Sequence, residues 1–192
     1  MTNHDGIERF LHDYITNMHE MYSRPDITIW GWTSEKGRYL AKHYFKWLLD
    51  NGTYYERDVD LTNRLMESVY YQPKLKECYA NSLHIMSSGE DIGYCEGWMV
   101  SSNVPIPIEH AWNIKDGKVL DFTATLWGRD DEERLYFGVQ MPKEFVISEM
   151  LKTGVTGPYL QAYVYEQLTG EPMNTDRNPL DWEDSEEDDD DW

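Results

Sequence analysis

Along this chain of 192 residues the spacing of apolar side chains changes character, and that change limits the folds open to it. Up to about residue 89 the apolar positions recur at intervals of three and four. Ile7, Phe10, Leu11, Tyr14, Ile15, Met18, Met21 and Tyr22 predict an amphipathic helix from about Asp5 to Tyr22, ended before Pro25. A second helix is expected from a Ser34 cap through Tyr39, Leu40, Tyr44, Trp47 and Leu48 to a stop at Asn51-Gly52. A third should run from about Asp60 to Tyr71 and be closed by Pro73. The run CYANSLHIMSSG reads as a fourth, with Cys78 in its first turn and Gly89 at its end. Beyond it, segments 92–102, 110–115, 118–123 and 135–141 are aromatic and β-branched and are punctuated by Pro, Gly and Asp-Gly, which predicts antiparallel strands. Helical spacing returns at about 142–152 and 158–169. Helices, then strands, then helices predict an α+β fold.

No internal repeat or interior linker divides the chain, so residues 1–171 are expected to form one globular domain and 172–192 a disordered acidic tail. The length suffices for a real core without disulfides or metal as its main support. Eight Trp, fourteen Tyr and five Phe supply large apolar surfaces for that core. The formal net charge is -19, and residues 181–192, DWEDSEEDDDDW, hold nine acidic groups and no basic one, leaving -10 for the rest. Like charges at that density stay solvated. A chain this acidic repels phosphate backbones and anionic lipid, which argues against direct nucleic-acid binding and against membrane-surface binding. The sequence holds no run of about 18 apolar residues and no basic start followed by an apolar core, so a cytoplasmic protein with reduced Cys78 and Cys95 is expected.

Cys78 follows Lys74 and Lys76 at what should be a helix start, and both the helix N-terminus and nearby cations favour a nucleophilic thiolate. Cys95 lies in a strand-like run without such support. The segment from His110 to Thr123 supplies a candidate base and orienting acid. Asp116-Gly117 between two β-prone runs is a strong hairpin signal, and placing it at the turn sets Lys115 opposite Lys118, Trp112 opposite Asp121 and His110 opposite Thr123. His110 and Asp121 then lie diagonally on one face, roughly 7–8 Å apart at the backbone and within side-chain reach.

The series Cys78-Tyr-Ala-Asn81, Tyr94-Cys-Glu96-Gly97-Trp98, Pro107-Ile-Glu109-His110-Ala111-Trp112, Val119-Leu-Asp121-Phe-Thr123 and Tyr136-Phe-Gly138-Val139 resembles the transglutaminase-like branch of the papain-fold superfamily, in particular small uncharacterised phage and bacterial proteins with this pattern. The resemblance covers about residues 76–141. It implies a papain-like fold and a Cys-His-Asp triad, with Cys78 as nucleophile, His110 as general base and acid and Asp121 as orienter. It also implies Gln72, six residues before the nucleophile, as an oxyanion-hole candidate. The ten residues between His110 and Asp121 are fewer than in many relatives, which fits a minimal hairpin. Trp98 and Trp112 are candidates for the walls of a substrate cleft, and Glu96 and Glu109 are expected to be solvated or structural.

Such a triad implies acyl transfer on an amide or thioester, with a protein or peptide as a possible substrate and no cofactor. No Gly-rich phosphate loop, Cys-x-x-Cys or His-Glu-x-x-His occurs, so neither a phosphate cradle nor a metal site is expected. The rival reading is a non-enzymatic acidic binding or inhibitor protein, possible as a phage product acting in a host cytoplasm, that engages a basic groove of a nucleic-acid-processing partner. Trp182 and Trp192 within the acid run fit that groove. The tail resembles the acidic, aromatic-ended C-termini through which single-stranded-DNA-binding proteins of phage and bacteria recruit replication partners.

Overall fold

The computed structural model describes residues 3–24, 34–68, 70–89, 91–104, 106–128 and 132–173. In chain order they form α1 (Asn3–Tyr22), α2 (Glu35–Asn51), β1 (Thr53–Tyr55), α3 (Val59–Ser68), α4 (Cys78–Ser88), β2 (Gly93–Ser101), β3 (Ile108–Lys115), β4 (Lys118–Leu120), α5 (Phe122–Thr125), β5 (Arg134–Met141), α6 (Lys143–Thr153) and α7 (Leu160–Thr169). The five strands make one antiparallel sheet in the order β1-β5-β2-β3-β4. Helices and an antiparallel sheet segregated along the chain are the expected α+β arrangement.

Strand alternation divides the core between two faces of the sheet. Tyr94, Trp98, Val100, Ala111, Leu135, Phe137, Val139 and Met141 pack against side chains of α1, α2, α4, α6 and α7. The opposite face carries Cys95, Met99, Trp112, Ile114, Val119 and Tyr136. A third cluster, Ile85, Ile92, Leu120 and Phe122 with Leu61, Leu65 and Met66 of α3, gathers α3, α4 and α5 around the end of β4. Ser34 starts α2 as expected, its hydroxyl accepting the Gly37 N–H at 3.0 Å.

Two expectations are corrected, and one element is new. The third helix stops at Ser68 rather than Tyr71, because Tyr71 turns toward α4, where its ring stacks on His84 and its hydroxyl donates to Asn81 Oδ1 at 3.0 Å. The strand expected at 118–123 ends at Leu120, because the Asp121 carboxylate accepts the Ala124 N–H at 2.8 Å and caps α5 instead. The three-residue β1, too short to display a period, was not foreseen. Among the described residues no helix is long and apolar enough to cross a membrane. Of the expected tail, 172 and 173 are described, with Met173 packed against the main core, and 174–192 lie outside the described residues.

Candidate active site

The hairpin β3–β4 turns at Asp116 and Gly117, both at positive φ, with Lys115 opposite Lys118 as expected. Pairing ends at Asn113–Leu120, so the stretch of β3 containing His110 is bonded only to β2, through Gly97. In place of a longer β4 the chain enters α5, and its capping residue reaches the open edge. His110 Nε2 lies 2.8 Å from Asp121 Oδ2, with the two side chains 3% and 1% exposed. The pair therefore meets through a helix cap rather than through the extended ladder expected from register.

Cys78 begins α4, immediately after a turn in which Lys76 adopts a φ of 65°. Asn81, one turn into the helix, ties that turn down. Its Oδ1 accepts the Lys74 N–H at 2.9 Å, and its Nδ2 donates to Lys74 O at 2.7 Å and to Thr123 Oγ1 of α5 at 2.8 Å. One buried amide thus locks the approach to Cys78 against the segment that carries Asp121. The partly buried Cys78 sulfur lies close enough to His110 to raise its proton affinity, both as a charge and as a hydrogen-bond partner. With Nε2 engaged by Asp121, Nδ1 is the ring nitrogen left for the sulfur.

Burial alone would push His110 toward the neutral form, but the Asp121 charge and hydrogen bond, joined by Cys78, outweigh it and hold the imidazole well above its ordinary range. Burial works against ionised Asp121 as well. It is overcome by the His110 charge and by hydrogen bonds from His110, the Ala124 N–H and the Tyr136 hydroxyl, so the carboxyl lies below its ordinary value. The cation facing Cys78 is therefore His110, not the lysines expected from sequence. Lys74 is exposed and 3.7 Å from Glu77, and Lys76 is exposed. Cys95 is fully buried on the sheet, where burial pushes its thiol well up and leaves it unsuited to attack.

Comparisons with family models, curated proteins and solved structures found no match.

A small pocket of water size is lined by Tyr44, Tyr79, Glu96, Gly97, Trp98, Glu109, Pro158, Leu160 and Gln161, and none of Cys78, His110 and Asp121 is part of its wall. Trp98 belongs to its wall. Trp112 does not: it is fully buried on the opposite face, edge-on to Tyr136 with ring centroids 5.3 Å apart. Gln72 is exposed on the loop that Asn81 holds against α4. Glu96 is structural and fully enclosed rather than solvated. Its carboxylate accepts the Tyr94 hydroxyl at 2.6 Å and the Tyr159 and Leu160 N–H groups at 2.9 Å, at the start of α7. Burial outweighs those bonds and raises it to about 7. Two further residues of the site, Asn81 and Tyr136, fall within the motif series but had no role assigned from sequence. The available signal for Asn81 was a poor helix former placed one turn after a helix-starting cysteine.

Proposed function

We propose that this chain is a cysteine-dependent hydrolase or acyltransferase of the transglutaminase-like papain type, acting on an amide or thioester through Cys78, His110 and Asp121. The observation that carries this reading is the buried His110–Asp121 pair, bonded at 2.8 Å beside a partly open cysteine at a helix start. Those are the residue types that a nucleophile, a base and an orienting acid require, and their grouping supports the reading.

In this mechanism the thiol proton passes to His110, and the sulfur attacks the substrate carbonyl. His110, held as imidazolium by Asp121, then protonates the leaving group, and a thioester remains on Cys78. Water or an amine, deprotonated by the same imidazole, resolves that thioester. The oxyanion requires donors. The first N–H groups of α4 have no intrahelical acceptor, and Glu77 in the capping position makes no side-chain bond to them, so the Cys78 N–H is suited to that role with Gln72 as its partner.

The test is the rate of Cys78 carboxamidomethylation by iodoacetamide at neutral pH, read by mass spectrometry of the Cys78 peptide. The expected result is alkylation faster than a free thiol, lost on His110→Ala. Alkylation no faster than a free thiol and indifferent to His110→Ala overturns the proposal.

A further inference from the structure

Asp121 Oδ2 accepts two hydrogen bonds. Besides His110 Nε2, it takes the Tyr136 hydroxyl at 2.8 Å, and neither Tyr136 nor Asp121 is more than 1% exposed. Tyr136 comes from β5, which is separated from β3 by β2. Its ring can approach because the β2 residue opposite His110 is Gly97, which is in turn opposite Gly138, so beside Met99, the partner of Tyr136, two positions carry no side chain. The Tyr136 and His110 ring centroids are 6.4 Å apart. The phenol also lies in the field of the Arg57 and Arg134 guanidiniums, and Arg134 is itself bonded to buried Glu132 at 3.0 Å and stacked against Trp127.

From this geometry we propose that Tyr136 is a positioning residue, whose hydroxyl anchors the Asp121 carboxylate and sets how strongly it grips His110. The inference rests on the triad reading and adds a fourth member to it. Two donors on one carboxylate oxygen compete for the same electron density. With the phenol in place, Asp121 is held in one rotamer and is a moderated acceptor. Without the hydroxyl, more of the charge is directed at the imidazolium. Among the described residues, the other charged and titratable groups that act on this pair are Cys78 from α4, Arg57 from the segment before α3, and Arg134 beside Tyr136 on β5.

The experiment follows the titration of His110 by NMR of protein carrying labelled histidine, the resonance being assigned by its loss in His110→Ala. In Tyr136→Phe the midpoint moves upward by about half a unit to one unit, as expected for removing one hydrogen bond from the partner charge. Site-specific replacement of Tyr136 by 3-fluorotyrosine, a stronger donor of nearly the same shape, moves it downward. A purely structural role would not produce opposite shifts from the two substitutions. Should Tyr136→Phe fail to fold, the fluorotyrosine protein alone decides, and an unchanged midpoint overturns the inference. His110-dependent alkylation of Cys78 with unmoved midpoints sinks this inference but leaves the triad standing. Alkylation indifferent to His110 sinks the triad itself.

Discussion

Asp121 accepts the Ala124 N–H on Oδ1 and both His110 and Tyr136 on Oδ2, so structural and chemical demands fall on one side chain. They are separable by substitution. Asn caps helices as well as Asp does, so Asp121→Asn should retain α5 but lose the charge that holds the imidazolium. Cys78 alkylation is expected to fall about a hundredfold or more, while thermal unfolding moves only modestly; an unchanged alkylation rate would remove Asp121 from the site. Glu96 makes a different prediction. Its folded value is raised to about 7 from an ordinary 4.5, so the folded protein binds the extra proton between those limits. The stability that Glu96 contributes is therefore greatest below pH 4.5, declines as pH rises toward 7, and is flat beyond. The decline amounts to about 3 kcal/mol. Denaturation of the wild type and Glu96→Gln at several pH values tests it: the wild-type advantage should shrink across that window, and a constant difference would count against it. Cys78, His110 and Asp121 were legible in the sequence because each belongs to a strong local signal, a helix start or a hairpin. The burial of Glu96 was not, because its partners, the N–H groups of Tyr159 and Leu160, lie more than sixty positions away in the chain.

At the level of elements, two glycines separate local from tertiary requirements. Gly117 adopts φ of 75° in the β3–β4 turn with open space around its absent side chain, so Gly117→Ala carries only backbone strain, about 1 kcal/mol. A Cβ on Gly97 would sit 2.2 Å from Phe137 O and 2.5 Å from Gly138 Cα, and only movement of the β2–β5 backbone could relieve that. Gly97→Ala should cost about 3 kcal/mol or more and slow Cys78 alkylation, because His110 is paired with Gly97. Chemical denaturation of the two variants distinguishes the cases, and equal losses would contradict the close packing at Gly97. The Asp-Gly turn could be read directly because turn chemistry is local. The end of β4 could not, since a β-prone run continues to Thr123 and only the capping bond of Asp121 diverts the chain into α5. The crowding at Gly97 likewise has no trace in its own neighbourhood, because β5 arrives from forty residues downstream.

For the whole molecule, charge and chemistry make separate predictions. Removing residues 181–192 takes the formal charge from -19 to -10 and deletes none of Cys78, His110 and Asp121. Under the enzymatic reading alkylation of Cys78 is unchanged by that truncation. Under the rival reading a salt-sensitive complex with a basic partner is weakened, and Cys78→Ser leaves that complex intact. Measuring both properties on both variants separates an enzyme from a binding protein. The sequence by itself determined the α+β class, the placement of the helices other than α5 and of most strands, the turn at Asp116-Gly117 and the three residues proposed as a triad, because periodicity, turn geometry and helix starts are written in contiguous residues. Only the tertiary structure decided that Trp112 and Trp98 are buried on opposite faces of the sheet, that His110 rather than a lysine faces Cys78, and that Asn81 and Tyr136 bond to the segments that carry Cys78 and Asp121. Those outcomes depend on which strand lies beside which, and strand order is set by long-range packing that no local pattern records.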